Sequence, residues 1–581
     1  MFPISRVTRI QPIDLRVLVS IFCVAILSSS VNSQAQSRSS RIDREVNDSV
    51  RGTIVGSRPL SARAEDDRGA LSSNTALHGM SVVFSRSADQ EAALQQLLAE
   101  QQTPSSSLYH HWLTPEQFGA SFGPSDADLA TVQSWLQQQG FTIDGIARSK
   151  TQVRFSGTAA QVKSAFGSEL HNYASGGITH YALATDLTIP AALSSVIQTV
   201  RNLSSFKPRA HVVFKSKASQ ASPSFTSSQS GNHYLTPKDI ATIYDVNPAY
   251  NAGYTGSGQS IAVMGQSEIE ISDIENFQSA AGFTSKDPTL VLVPNSGSAA
   301  FSTGDEAESD LDLEYSSTIG KGATIYFVYV GNNQNYSVWD SLQYAVDNKL
   351  SPIITLSYGD CEPDLGSADY ASLNSILEQG ASQGQSIINS SGDSGSTSCY
   401  GTSGLSTSVQ EELAASFPAS SQYVTGLGGS EFLSADVAST NTTYWQSANG
   451  TDVISSALSY IAEQAWNDDS SSDGLSSGGG GASIFTARPS WQSGVTGIPS
   501  GSYRLVPDIS LDSSPNNAGY LYCSSDSEAT GITGSCSNGF RDSNSKYLTV
   551  AGGTSFAAPI FAGMLSLINQ KLGSSGQGVI N

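Results

Sequence analysis

Ser555 follows Gly552, Gly553 and Thr554 and opens an apolar run of helical spacing: Phe556, Ile560, Phe561, Met564, Leu565, Leu567 and Ile568. A serine there sits at the N-terminal mouth of a buried helix, where free N–H groups and the positive dipole end favour an alkoxide or oxyanion. Pro559 lacks an N–H, so the Ser555 carbonyl loses its helical partner and the serine is held at the rim of the helix. A simple Ser/Thr cap is the bland alternative. A serine nucleophile also needs a base within hydrogen-bond reach. The chain has seven histidines, and none follows His233 in the long part that carries Ser555. A carboxylate base is therefore expected, and with it chemistry run at acidic pH.

Two acidic motifs could supply it. In GDEAESDLDLEYSS, Glu308 and Asp312 are four apart, on one face of a helix and one turn from each other, close enough to share a proton and raise one pKa. The same run holds Asp305, Glu306, Asp310 and Glu314 without a lysine among them, and a solvated acidic face is the competing reading. In INSSGDSGSTSC, a strand ends in a Gly-rich turn that presents Asp393. An Asx-turn would explain it equally. GDSG with Ser394 would suit a chymotrypsin-like barrel, but the region offers neither a barrel nor an upstream histidine.

The elements around these motifs alternate strand and helix. QSIAVMG, ATIYFVYVG, SPIITLSYG and QSIINSSG read as buried strands, with helical segments such as NYSVWDSLQYAVDN between them. That order builds a parallel sheet with helices on both faces and active groups at strand C-terminal ends. LSYGD (Ser357, Tyr358, Gly359) and the glycines Gly479 and Gly480 are candidate edges for an extended peptide, since glycine lets backbones approach closely.

Residues 1–35 carry Arg6, Arg9 and Arg16, a short apolar run and a small-x-small site, the pattern of a signal peptide, so an exported, extracellular protein is expected. Of five cysteines, Cys23 leaves with that segment, and Cys361–Cys399 and Cys523–Cys536 are the expected disulfides, two other connectivities remaining open. Residues 36–207 read as an α+β module and 208–232 as a Ser-rich exposed linker with the processing site; 233–581 form the main domain, with 441–477 a surface insertion. The formal net charge is −22, and from His233 onward acidic residues outnumber basic ones roughly four to one. A near-neutral leading module could thus pair its cations with an acidic domain and release it on acidification.

The chain resembles the sedolisin-type (kumamolisin-like) serine-carboxyl peptidases. The resemblance rests on YHHWLTPEQFGASFGPSDADLATVQSWLQQQGF, YLTPKDIATIYDV, LSYGDCE, SSGGGGASIFTARPSWQ, RLVPDIS and GGTSFAAP. It implies a subtilisin-like α/β catalytic domain, with its parallel sheet flanked by helices, behind a ferredoxin-like α+β activation prodomain. It also implies a zymogen of a serine-type endopeptidase acting on polypeptides. Ser555 would be the nucleophile, Glu308 its base, Asp312 the carboxylate that orients Glu308, and Asp393 the oxyanion-hole acid. Ca2+ is an expected cofactor, but the family's ligand segment lies beyond Asn581, so the domain reads as C-terminally incomplete and no metal ligand is assigned. MGQSE puts Gln266 where relatives often carry a glutamate, with Glu268 two residues on. Expected partners are polypeptide substrates and the protein's own prodomain, with no nucleic acid, no membrane after signal removal, and a monomer. Rival readings are a neutral subtilisin-type peptidase using His233 and an inactive binding protein.

Overall fold

The computed structural model describes residues 38–214, 233–447, 452–472 and 474–573. The expected signal peptide, Cys23 and most of the expected linker lie outside the described residues.

The C-terminal part is built on an eight-stranded sheet. Its strands run Thr289–Leu292, Thr324–Tyr329, Ser260–Gly265, Ile353–Leu356, Ser386–Ser390 and Val424–Phe432, all parallel; Ile509–Asp512 joins the last in parallel and Glu463–Ala465 in antiparallel fashion. Both faces are covered, as the continuous apolar strands require. Along Ser260–Gly265 the side chains alternate. Ile261 and Val263 pack with Leu311, Tyr315 and Phe556, whereas Ala262 and Met264 pack with Trp339, Leu342 and Tyr358 on the other face. The first face receives two helices, the acidic helix Asp305–Ile319 and the serine helix Thr554–Leu572; the second receives Val338–Asp347 and Glu362–Ser382.

The core of the leading module has the order strand Ala76–Phe84, helices Ala88–Gln101, Pro115–Phe122 and Asp126–Gln138, strands Thr142–Ile146 and Gln152–Thr158, helix Ala159–Phe166 and, after three short strands between 170 and 190 that pair elsewhere, strand Ile197–Arg201. In its antiparallel sheet the first strand lies between the third and fourth, and the second is at the edge. This is the βαββαβ ferredoxin-like arrangement that the family resemblance implied.

Both expected disulfides, Cys361–Cys399 and Cys523–Cys536, are formed. The expected surface insertion is partly a core element. Trp445 is 1% exposed and stacks on His233 at 4.6 Å, and Asp239 accepts the N–H groups of Ser456 and Ala457, so this segment covers the start of the domain. The buried Asp239 carboxylate takes those two donors on Oδ1 and the N–H and hydroxyl of Thr236 on Oδ2.

The ferredoxin-like module docks mainly through neutral donors to carboxylates. Ser149 Oγ reaches Asp347 at 2.7 Å, Asn202 Nδ2 reaches Asp340 at 2.9 Å and Ser61 N reaches Asp364 at 2.8 Å; Arg86 pairs with Glu378. The charge pairing anticipated from composition is present at Arg86, but hydrogen bonding shares the role.

Candidate active site

Gly553 has φ of +111°, a conformation open to glycine, and turns the chain into the serine helix one residue before Thr554. Ser555 is therefore the second helical residue, with its N–H pointing out of the helix end. Pro559 lies inside the helix, and the carbonyl it leaves without a helical partner takes the Ser357 hydroxyl at 3.2 Å.

The acidic helix packs directly against the serine helix, and its acidic face is not solvated. Glu308, Asp310, Asp312 and Glu314 are each 0% exposed. Burial, then the neighbouring Asp312, pushes Glu308 well above the usual carboxylate range, while the Ser555 hydroxyl beside it pulls the other way. Burial raises Asp312 as well, and Ser357 Oγ, 2.7 Å from Asp312 Oδ1, opposes that rise. Two carboxyls this close resist carrying two charges at once, so the pair holds a single charge that Glu308 can use as a base. The first turn carries Asp305, Glu306 and Glu308 at the positive end of the dipole, which offsets part of their mutual repulsion.

Asp393 follows the strand Ser386–Ser390. Its Oδ1 accepts both the N–H and the hydroxyl of Thr554, each at 2.8 Å, and its Oδ2 is closed off from water without a partner. Burial raises its pKa to about 7. A carboxyl that accepts on one oxygen and is protonated on the other is a donor aimed away from Thr554.

The four expected catalytic residues are thus brought to one place at the C-terminal ends of the strands. Ser357, Tyr358 and Gly359 are there too, and they already pair with peptide. Arg209 and Ala210 lie antiparallel to Gly359 and Tyr358, and His211 N–H donates to the Ser357 carbonyl at 3.0 Å. Beyond the serine, Val213 and Phe214 pair with Gly552 and Ala551. Between these pairs the His211 carbonyl accepts the Ser555 N–H at 3.0 Å. A Cβ on Gly553 would lie 2.5 Å from that oxygen and 2.6 Å from Asp393 Oδ2, so both converge over this glycine.

Residues 209–214, expected to be exposed linker, are therefore an extended strand laid across the cleft. The alternation of RAHVVF was a weak signal for it. The His211 ring is buried between Ser390 Oγ (2.8 Å from Nδ1) and Ser416 Oγ (3.4 Å from Nε2), and burial, then Arg209, drops its pKa to about 3. It is directed at those hydroxyls, not at Ser555 Oγ. His233, the rival base, is held on Trp445. Gly479 and Gly480, expected as an edge for substrate, also lie against the Asp393 loop. Gly479 N donates to Gly392 O at 2.6 Å and a Cβ there would lie 2.4 Å from Ser391 O, so these glycines support the Asp393 loop. Gln266 stands between Asp305 Oδ1 (2.9 Å) and the Pro208 carbonyl (3.2 Å), holding the incoming strand.

At this site a helix-mouth serine at the edge of a parallel α/β sheet meets buried carboxyls, while His211 and His233 are both engaged elsewhere. Known proteins resemble both parts of the chain. Residues 64–206 match the model of the pro-kumamolisin activation domain. Sedolisin of Pseudomonas sp. (strain 101) is 28% identical over 491 residues, 83% of this chain and 75% of that protein; kumamolisin of Bacillus sp. (strain MN-32) is 29% identical over 484 residues, 79% and 75%. A solved Pseudomonas sedolisin, a serine-carboxyl proteinase complexed with pseudo-iodotyrostatin, aligns over 60% of this chain and 83% of its own, with 25% identity and a TM-score of 0.44. Over most of its length the chain is similar to serine-carboxyl peptidases of the sedolisin family, with the match to the activation domain lying ahead of the sheet domain.

Calcium, implied by the resemblance, finds no ligand set after the serine helix among the described residues. Nor does any described helix reach the length and apolarity needed to cross a membrane.

Proposed function

We propose that this chain is the zymogen of an exported, acid-acting endopeptidase whose first substrate is its own His211–Val212 bond. The observation that carries the reading is the Ser555 N–H on the His211 carbonyl, with strand pairing on both sides of it. In the reaction, Ser555 Oγ attacks the His211 carbonyl carbon and its proton passes to Glu308. The oxyanion is held by the Ser555 N–H and by protonated Asp393, two donors already aimed over Gly553. Collapse breaks the C–N bond, Glu308 returns the proton to the Val212 nitrogen, and an ester on Ser555 remains. Water then attacks it with Glu308 as base, as in triads built on histidine. Asp312 tunes Glu308 through their shared proton. Asp393 must be neutral to donate, which limits the reaction to pH below about 7.

The test is to acidify the purified chain beside its Ser555→Ala variant and determine new N-termini and cleavage of an added denatured protein. A fragment beginning at Val212, followed by cleavage of the added protein, is expected from the unmodified chain only. The same fragment from Ser555→Ala at the same rate would sink the reading.

A further inference from the structure

The acidic helix carries a second constellation on its other face. Asp310, Glu306 and Asp273, the last from the helix Ile271–Ala280, each offer one carboxylate oxygen, and these three oxygens all lie within 4.8 Å of one another. Asp526 adds a fourth negative group: its charge acts on both Asp310 and Glu306, while its own oxygens take the Gly304 and Ala529 N–H groups. Asp273 is held by the backbone and hydroxyl of Ser525 at 2.6 and 3.0 Å. Asp310 is different. It is 0% exposed, and neither of its oxygens has a hydrogen-bond partner; the Ser524 hydroxyl is near enough to ease its charge but not in bonding geometry.

An unpaired buried carboxylate costs several kcal/mol, on the order of what protein interiors tolerate only with a compensating charge. The charged groups acting most strongly on Asp310 are Asp273, Glu306 and Asp526; those on Glu306 add Glu270 and Glu268. Every one is acidic. The donor set is all oxygen, anionic and drawn from two helices, with Asp526 of a third segment beside it, the composition that suits a hard divalent cation of calcium's size rather than a soft metal.

We propose that Asp273, Glu306 and Asp310 bind a calcium ion that ties the helix Ile271–Ala280, and through the Asp273 contacts with Ser525 the loop Ser524–Asp526, to the helix bearing Glu308 and Asp312. The site lies ahead of the nucleophile in the chain, so it is independent of any ligand segment after the serine helix. Its consequence for the catalytic pair is positional: the cation fixes the acidic helix from the face opposite Ser555.

The Ser555→Ala chain, kept intact by that change, allows the test without reference to activity. After chelation, calcium and terbium are titrated at pH 7 into this chain and into the same chain with Asp310→Asn, an isosteric change that removes a charge from a crowded group. Tyr522, on which the charges of Asp310 and Asp526 both act, is a donor for sensitised terbium luminescence. The expected result is one more calcium equivalent in the Asp310 chain, at least a tenfold loss of that affinity in the variant, sensitised terbium emission in the former alone, and a calcium-dependent rise in Tm confined to it. Equal binding by the two chains overturns the site. So does the absence of binding together with a higher Tm for Asp310→Asn, which would mean that protons alone neutralise the cluster. Neither outcome touches the assignment of Ser555, which autoprocessing tests separately.

Discussion

Ser357 has one hydroxyl proton and two acceptors, Asp312 Oδ1 at 2.7 Å and the Ser555 carbonyl at 3.2 Å. The one proton is shared between the Asp312 carboxylate, its shorter contact, and the Ser555 carbonyl, so Ser357 ties the orienting carboxylate to the serine's own peptide. Ser357→Ala should lower kcat about 10- to 100-fold with little change in KM, since a hydrogen bond to a charged or acidic group is worth about 1.5–3 kcal/mol. Steady-state kinetics of the processed protein on a peptide substrate reads it, and an unchanged kcat would remove Ser357 from the positioning of the serine. Asp393 gives a sharper contrast. Asp393→Ala removes a donor to the oxyanion and should cost on the order of 100- to 1000-fold. Asp393→Asn keeps an acceptor for Thr554 and offers an N–H where Oδ2 stands, at any pH. It should retain far more activity than the alanine variant and lose the decline near pH 7 that Asp393 imposes. A pH–rate profile for Asp393→Asn that still falls at that point would assign the decline to another group.

The serine helix trades regularity for access at Pro559. With alanine there, a helical N–H would reach the Ser555 carbonyl and displace Ser357. A proline in a helix interior costs roughly 3 kcal/mol, so Pro559→Ala should raise Tm while lowering kcat. Calorimetry and kinetics on one preparation check both halves, and a gain in Tm with full kcat would show that the Ser357 contact is incidental. At this scale the sequence was most legible where chemistry and periodicity coincide. Ser555 at a glycine-led helix mouth, Glu308 and Asp312 one turn apart, and Asp393 after a strand could be picked from local patterns, and the structure brings them together. His211 could not. Its place follows from antiparallel register with residues far along the chain, which no local pattern encodes. The acidic helix was half legible: spacing put its carboxylates on one face, but burial of Asp310 and Glu314 on the other sides depends on what packs there. The close approach of Gly479 to Ser391 was not legible for the same reason, because it is a tertiary fact.

Across the whole molecule, burial holds an unusual number of carboxyls above their ordinary pKa. Glu306, Asp360, Asp369, Glu378 and Asp393 stand at about 7 and Asp239 at about 6, with burial the largest cause in each. Arg86 faces Glu378, Arg201 faces Asp369, and Arg209 faces Asp360 and Asp393, yet these cations do not bring the values back down. The sign of the consequence follows by linkage. Between the unfolded values near 4 and the folded values near 6 to 7, the native state binds more protons than the unfolded chain, so stability falls as pH rises through that window. Acidification also reduces the repulsion within a chain whose formal charge is −22. The Ser555→Ala chain, in calcium-free buffer, should therefore melt at progressively higher temperature as pH is lowered from about 7.5 to 4.5, the reverse of a protein stabilised by exposed carboxylate ion pairs. A Tm that falls steadily over that range would mean that the ion pairs Arg86 makes with Glu378 and Glu91 outweigh the buried acids. Loss of native structure on acidification would then begin at the docked activation domain, and protection of the amides in Ala88–Gln101 would be the first to disappear in hydrogen exchange.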